Sequence, residues 1–210
     1  MLSLNQSTGE LFLYGAVGAS WFDDSFSSME VIEALATLGG KRAIVRINSP
    51  GGVADEGIAI YNAIKRHKGG ADTHVDALAA SAASVIALAG ETRTTSLGGR
   101  WMIHRAMTFE LGNATQLRKT ADTLETYDRS LVEIYSQYIA KGSDIMSLLD
   151  AETWYTGPES LVAGLSTETG GTSDAKPTVA SWFKNPPAAL VQQSVSRAHG
   201  AYARAKAFRK

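Results

Sequence analysis

The sequence predicts an α/β protein with mostly parallel strands, and three observations support this class. Short apolar strands alternate with amphipathic helical segments over most of the chain. Glycine pairs at 39–40 and 69–70 end two of the predicted helices. No internal repeat of solenoid type is present. Together these features favour layered helices and strands over an all-helical or all-β fold.

Eight elements are predicted in the first half of the chain from apolar periodicity and turn residues. In chain order they are a strand at 9–15, helix at 25–38, strand at 42–47, helix at 54–67, strand at 73–77, helix of small residues at 81–89, and strands at 100–104 and 107–111.

The second half begins with the longest helical pattern in the chain, at 113–140. At 1.5 Å per residue this helix is roughly 40 Å long, enough to extend beyond a compact α/β layer. A helix folded back on its own core is the alternative. A short helix at 143–149, a strand at 154–156 and a helix at 159–163 follow, the last begun by Pro158.

Composition excludes several classes of function. The chain has 210 residues, 44% of them hydrophobic and 20% charged, which is typical of a globular domain. It has no cysteine, which excludes disulfides, thiolate zinc sites and a cysteine nucleophile. No signal peptide is recognisable, and the apolar stretch at 77–90 is too short to span a bilayer. No metal, cofactor or membrane is therefore expected.

The C-terminal segment differs in charge from the rest. After Asp174 there is no acidic residue, and 175–210 carries seven positive charges. We therefore predict a domain at 1–170 and a basic linker with a helix at 171–210. The linker composition extends over 166–187, and the helix is predicted at 188–208. The tail could be solvated, dock a capsid or scaffold protein, be cleaved, or contact nucleic acid, although nucleic acid is not an expected partner.

A glycine turn follows the predicted strand at 42–47. Asn48-Ser49-Pro50-Gly51-Gly52 brings unhindered backbone N–H groups to the carboxyl end of a strand, where open α/β sheets bind ligands. A simple tight turn between strand and helix is the alternative. No Gly-Lys-Ser/Thr follows, so this is not a phosphate-binding loop.

Ser81 follows a predicted strand and opens the helix of small residues. The amides at such a junction lie near the positive end of a helix, where they can stabilise an oxyanion. The alternative is a close helix contact, and Ser84 fits that structural role better. The surrounding sequence is not Gly-x-Ser-x-Gly, so an α/β-hydrolase elbow is not indicated.

His104 ends the apolar strand that contains Met102 and Ile103. A histidine there can be a core residue with satisfied hydrogen bonds. However, histidine is the usual base for a serine nucleophile, and a carboxylate usually orients it. The contexts of His67, His74 and His199 give no such indication, so we expect them to be structural or solvated.

These motifs together resemble the ClpP peptidase family. They occur in the family's order: Asn48-Ser49-Pro50-Gly51-Gly52, Ala79-Ala80-Ser81, Ala89-Gly90, Met102-Ile103-His104, and Thr153-Trp154-Tyr155-Thr156-Gly157-Pro158-Glu159 with Gly164-Leu165. The resemblance covers 9–165 and implies a ClpP/crotonase-like fold of repeated ββα units with a protruding handle helix. With Gly112-Asn113-Ala114 at the start of the long helix, the chain is most similar to phage and prophage ClpP-like proteases.

The resemblance implies a serine endopeptidase. Ser81 would be the nucleophile, and His104 the general base and then the general acid. The N–H groups of Gly52 and Ala82 would form the oxyanion hole. The family's third member is an aspartate, and the position here is Glu152. A glutamate can orient an imidazole from one methylene further away, and Asp150 is the substitute to test first.

The resemblance also implies how substrate binds. An extended substrate strand would pair with the edges at 52–53 and 107–111. The substrate-binding residues would include Gly51, Val53 and Met107.

Partners follow from the same resemblance. It implies a homo-oligomeric ring joined through the handle helix, which cleaves capsid or scaffold proteins during head maturation. The site of action would be the bacterial host cytoplasm, with the procapsid interior as an alternative. Only about eight residues precede Gly9, fewer than in family members that engage an ATPase, so we expect no dedicated ATPase.

Three other functions remain open. A Ser–Lys peptidase of the signal-peptide-peptidase branch would use Lys119. A crotonase-type acyl-CoA enzyme would need a backbone oxyanion hole but not Ser81 and His104 together. A degenerate ClpP-like ring would act only as an assembly scaffold.

Overall fold

The computed structural model describes residues 1–18 and 24–171. Its elements, in chain order, are β1 (Leu2–Asn5), β2 (Glu10–Tyr14), β3 (Ala16–Val17), β4 (Ser25–Phe26), α1 (Ser28–Leu38), β5 (Ala43–Ser49), α2 (Ala54–Lys65), β6 (Ala71–Ala80), α3 (Ala82–Ala87), β7 (Arg93–Thr95), β8 (Arg100–Ile103), α4 (Ala114–Tyr135), α5 (Ile145–Asp150), β9 (Thr153–Thr156), α6 (Gly157–Ala163) and β10 (Glu168–Thr169). The predicted α/β class is confirmed.

The main sheet is largely parallel and branches at its longest strand. The order is β1-β2-β5-β6-β7-β10, with β8 also paired to β6 and β9 paired to β8. The first half of β6 pairs with β7, and its last three residues pair with β8. Only β1 and β9 run antiparallel to their neighbours in this sheet. The branch therefore brings the carboxyl ends of β6 and β8 side by side.

Alternate side chains of the strands point to one face of the sheet, and that face is buried. In β2, Leu11 and Leu13 are fully buried while their neighbours are partly exposed. The same alternation runs through the first part of β5, as expected when helices cover one face. From Val75 onward every residue of β6 is buried. The core is therefore continuous up to the end of the strand that precedes Ser81.

Side-chain caps fix where the helices begin. Ser27 with Glu30, Asn113 with Gln116 and Thr156 with Glu159 each form a capping box. Asn113 caps α4 as the sequence predicts, and Pro158 lies in the first turn of α6. The prediction that a helix starts at Ser25 is wrong by three residues, because Ser25–Phe26 pairs with β3 and the capping box starts α1 after Ser27.

The predicted strand at 107–111 is wrong. Its alternating apolar residues have the period of a strand, but the segment pairs with no strand in the described part of the chain. Phe109 and Leu111 are 95% and 90% exposed. Periodicity alone predicted a strand here, whereas strand formation also needs a neighbour for the backbone hydrogen bonds.

Four strands and part of the predicted linker also differ from expectation. The sequence predictions missed β1, β3, β7 and β10, which are two to four residues long. The linker was expected from residue 166, yet β10 pairs with β7 and Ser166 is buried. The rest of the linker and the predicted helix at 188–208 lie outside the described residues.

Helix α4 is shorter than predicted and only half of it is packed. It ends at Tyr135 rather than Ala140, and its 22 residues span about 33 Å. Its four buried residues are Asp128, Leu131, Ile134 and Tyr135, all in the second half. The first half therefore protrudes from the core. No helix among residues 1–18 and 24–171 is both long and apolar enough to cross a membrane.

Candidate active site

Ser81 occupies a strained turn between β6 and α3. Its φ of 54° lies in the left-handed region, which non-glycine residues rarely adopt. The Ser81 amide still donates to the Met102 carbonyl at 2.9 Å, which extends the β6–β8 ladder by one bond. This turn ends the strand abruptly and leaves the Ser81 side chain partly exposed at the edge of the sheet.

His104 comes to the same edge because β8 runs parallel to β6. The register pairs Ala80 with Met102, so the residues just beyond the two strands are neighbours. His104 Nε2 lies 2.8 Å from Ser81 Oγ, a normal hydrogen-bond distance. The structure therefore brings together the two side chains that the sequence predicted as nucleophile and base.

The glycine turn packs directly against Ser81. A Cβ on Gly51, whose φ is +88°, would lie 2.5 Å from the Ala80 oxygen and 2.7 Å from Ser81 Cβ. Only glycine permits this approach. Within the described residues, the N–H groups of Gly52 and Ala82 have no hydrogen-bond acceptor. Two free amide donors thus lie in the segments that adjoin Ser81, where a developing oxyanion would need them.

The predicted substrate-binding residues lie in two different segments, the glycine turn and the segment after His104. Val53 is 45% exposed beside the glycine turn, but its N–H already donates to the Val17 oxygen at 2.9 Å. This amide is therefore engaged, and the Gly52 amide is the one that remains for a ligand. Met107 is half-exposed in the irregular segment after His104.

Two acidic residues compete for the third position. The antiparallel register pairs Ile103 with Thr153, so His104 and Glu152 are the next residues beyond that pair. Glu152 is 5% exposed, and its φ of 50° makes it the second of two non-glycine residues with positive φ in the described chain. Trp154 Nε1 lies 3.4 Å from Glu152 Oε1. Asp150 instead forms a salt bridge with Arg105 at 3.0 Å and its side chain is 55% exposed.

A charged cluster that the sequence reasoning missed holds the segment after His104. Buried Asp128 of α4 accepts from Arg105 Nε at 2.7 Å and from the Ala106 amide at 2.8 Å. The Asp128 carboxylate and, next, that of Asp150 raise the pKa of the Arg105 guanidinium above its usual value. A signal was available in the sequence, because an aspartate on the apolar face of a helix needs a partner.

The remaining candidates lie away from this site. Lys119 is exposed in the protruding half of α4. His67 Nε2 lies 2.7 Å from the Lys41 oxygen, and His74 is half-buried in β6. No cluster of histidine and acidic residues that could hold a metal is found within residues 1–18 and 24–171.

We predict that Gly51→Ala prevents the turn from packing against Ser81. The added Cβ meets both the Ala80 oxygen and Ser81 Cβ, and it also forces a positive φ on alanine, at a cost of about 1–3 kcal/mol. Labelling of Ser81 by a fluorophosphonate should be lost or greatly slowed, and the thermal midpoint should fall. Gly40→Ala is the matched control, since its Cβ would meet nothing within 4 Å. Wild-type labelling of Gly51→Ala would contradict the described geometry.

Comparisons with known proteins identify relatives of this chain. Residues 6–170 match the model of the Clp protease family. The chain is 36% identical over 151 residues to the ATP-dependent Clp protease proteolytic subunit 1 of Protochlamydia amoebophila, covering 68% of this chain and 73% of that protein. It is 31% identical to the subunit of the same name from Chlamydia abortus, covering 60% and 68%.

A solved structure shows the same fold. A ClpP1 mutant from Listeria monocytogenes superposes with a TM-score of 0.65 at 21% identity, covering 78% of this chain and 92% of that one. The family match covers most of the chain, and the two curated relatives exceed 30% identity over two thirds of their own lengths. The chain therefore belongs to the Clp protease family.

Proposed function

We propose that this chain is a serine endopeptidase in which Ser81 and His104 are the catalytic pair. The observation that carries the proposal is the 2.8 Å contact between Ser81 Oγ and His104 Nε2. Membership of the Clp protease family supports the same reaction class.

The proposed reaction uses Ser81 as the nucleophile and His104 as the base. Ser81 Oγ attacks the carbonyl carbon of the scissile peptide while its proton passes to His104 Nε2. The carbonyl oxygen becomes an oxyanion that the N–H groups of Gly52 and Ala82 stabilise. His104 then gives the proton to the leaving amine, which leaves an ester on Ser81. A water molecule activated by His104 hydrolyses the ester and restores the serine.

Labelling with a fluorophosphonate probe tests the pair. We expect the assembled wild-type protein to be labelled on Ser81, and Ser81→Ala and His104→Ala to lose labelling, because activation of the hydroxyl needs both groups. Peptidase activity should fall on the order of 10⁶-fold in either variant. His67→Ala is the control, since this histidine is half-buried just after α2, where its Nε2 lies 2.7 Å from the Lys41 oxygen. Wild-type protein that is folded but unlabelled would favour the scaffold alternative.

We propose Glu152 rather than Asp150 as the acid that orients His104. Register places Glu152 just beyond the pair formed by Ile103 and Thr153, and burial protects its carboxylate from water. Its positive φ supports the choice, because strained backbone clusters at functional sites. Asp150 is exposed and already paired with Arg105.

Two substitutions distinguish these acids. Glu152→Gln should lower kcat on the order of 10⁴-fold, less than loss of Ser81 or His104, because the imidazole loses its orienting charge but keeps its position. Glu152→Asp, which restores the aspartate of the family, should keep much of the activity. Asp150→Asn is the matched control and should have a small effect, since an exposed ion pair contributes little. The reverse order of effects in a steady-state peptidase assay would make Asp150 the third member.

We propose that the chain assembles into a homo-oligomeric ring. The support is four exposed apolar side chains: Met107, Phe109 and Leu111 in the segment after His104, and Leu117 in the protruding half of α4. Exposed apolar residues that group together mark interaction sites, and we propose that a second copy of the chain covers these. A monomeric mass in native mass spectrometry at micromolar concentration would contradict the ring.

The proposed substrate is a phage capsid or scaffold protein, cleaved without a dedicated ATPase in the bacterial cytoplasm or inside the procapsid. The sequence resemblance to phage and prophage ClpP-like proteases supports this. The two relatives above are named ATP-dependent subunits, which favours dependence on ATP.

Co-expression tests both parts. We expect mass spectrometry to find processed capsid or scaffold protein with the wild-type chain and none with Ser81→Ala, because only the former has the nucleophile. Processing should persist in host cells that lack their Clp unfoldases. Equal processing with Ser81→Ala would refute the substrate assignment, and loss of processing in the unfoldase-deficient host would refute ATPase independence.

A further inference from the structure

Ser84 lies one turn into α3 and is fully buried. Its Oγ donates to the Ser81 carbonyl oxygen at 2.6 Å, and its amide donates to the same oxygen at 2.9 Å. The Ser81 carbonyl therefore accepts two hydrogen bonds. The direction of this carbonyl is fixed more tightly than the helix backbone alone would fix it.

A tyrosine from α4 completes the arrangement. Tyr135 OH lies 2.6 Å from Ser84 Oγ. A serine hydroxyl has a single proton. Because Ser84 gives that proton to the Ser81 oxygen, Tyr135 must be the donor between the two hydroxyls. Burial raises the pKa of Tyr135 above its ordinary value, so the phenol keeps its proton at neutral pH.

The Ser81 carbonyl shares a peptide plane with the Ala82 amide. In a planar trans peptide the C=O and N–H groups point in opposite directions. Bonds that fix the carbonyl on one side therefore also fix the N–H on the other. The Ala82 N–H is one of the two free donors at the site, and the Ser81 φ of 54° belongs to the residue that begins this plane.

We propose that Tyr135 and Ser84 are positioning residues that aim the Ala82 N–H at the oxyanion. The relay runs from Tyr135 OH to Ser84 Oγ and then to the Ser81 carbonyl. It touches neither substrate nor the reacting atoms, and it acts through the orientation of one peptide. This inference rests on the proposed function, because it requires Ser81 to be the nucleophile and Ala82 to be an oxyanion donor.

Two variants interrupt the relay at different links. Ser84→Ala removes the side-chain bond to the Ser81 carbonyl, and Tyr135→Phe removes the phenol that donates to Ser84. The first-order rate of fluorophosphonate labelling at saturation should fall about 10-fold in Ser84→Ala and by a smaller factor in Tyr135→Phe. Removal of an entire oxyanion-hole donor would lower the labelling rate more than this, whereas here the Ala82 amide remains in place.

Two readouts separate positioning from a purely structural role. The probe concentration at half-saturation should stay unchanged, because probe binding before the reaction does not need the oxyanion hole. The pH midpoint of labelling should also stay unchanged, because His104 and its contact with Ser81 are untouched. A general loosening of the site would change both quantities along with the rate.

The matched control is Ser160→Ala. Ser160 is also fully buried, its Oγ donates to the carbonyl three residues earlier, Gly157, at 2.7 Å, and it contacts another hydroxyl, Ser166, at 2.8 Å. Ser160→Ala therefore removes the same kinds of hydrogen bond from a different helix. Ser160→Ala should label at the wild-type rate even though its thermal midpoint falls.

The outcomes are distinct from those of the proposed function. If wild-type protein is labelled on Ser81 and Ser84→Ala and Tyr135→Phe label as fast, the relay is wrong while the peptidase assignment stands. If Ser81→Ala labels like the wild type, the peptidase assignment itself is wrong. If one variant does not fold, the other decides; if neither folds, the bonds are structural and the positioning role is rejected.

Discussion

The positive φ of Ser81 is the constraint on which the site depends. It ends β6, starts α3 and directs the Ser81 side chain toward the edge where His104 lies 2.8 Å away. Such a conformation costs free energy in a non-glycine residue and persists only when its surroundings fix it. Here the Met102 carbonyl binds the Ser81 amide, Ser84 binds its carbonyl, and Gly51 packs against its Cβ.

Helix α4 contributes to both sides of this arrangement. Tyr135 is linked to Ser81 through Ser84, and Asp128 holds Arg105 and the Ala106 amide just after His104. These two residues are seven positions apart and so lie on the same helix face. The packed half of α4 thus supports the proposed catalytic pair, while the protruding half carries Leu117, one of the exposed apolar residues that we propose for contact with a second copy of the chain.

The sequence was sufficient to predict the α/β class, most of the long elements and the pairing of Ser81 with His104. The class and the elements follow from periodicity and glycine positions, which are local, and the pairing of Ser81 with His104 follows from the order of motifs that resembles the ClpP family. The strand at 107–111 was wrong because its period-2 pattern contains no information about whether a partner strand exists. The short strands β7 and β10 were missed because two or three residues carry little periodic signal.

The contacts of the site were less predictable than its residues. Ser84 was expected to serve only close helix packing, and its bonds to Ser81 and Tyr135 join positions up to 51 residues apart. Asp128 was not singled out, although its place on the apolar side of α4 required a buried partner. Both contacts arise from tertiary packing, which no single segment of sequence specifies.

The most direct test of the catalytic arrangement is a crystal structure of the protein treated with a peptide boronate. We predict a bond from Ser81 Oγ to boron, with one boronate oxygen about 2.7–3.1 Å from both the Gly52 and the Ala82 amide nitrogens. His104 should remain within hydrogen-bond distance of the adduct. Boron bound at another residue, or a boronate oxygen directed away from both amides, would contradict the proposed active site.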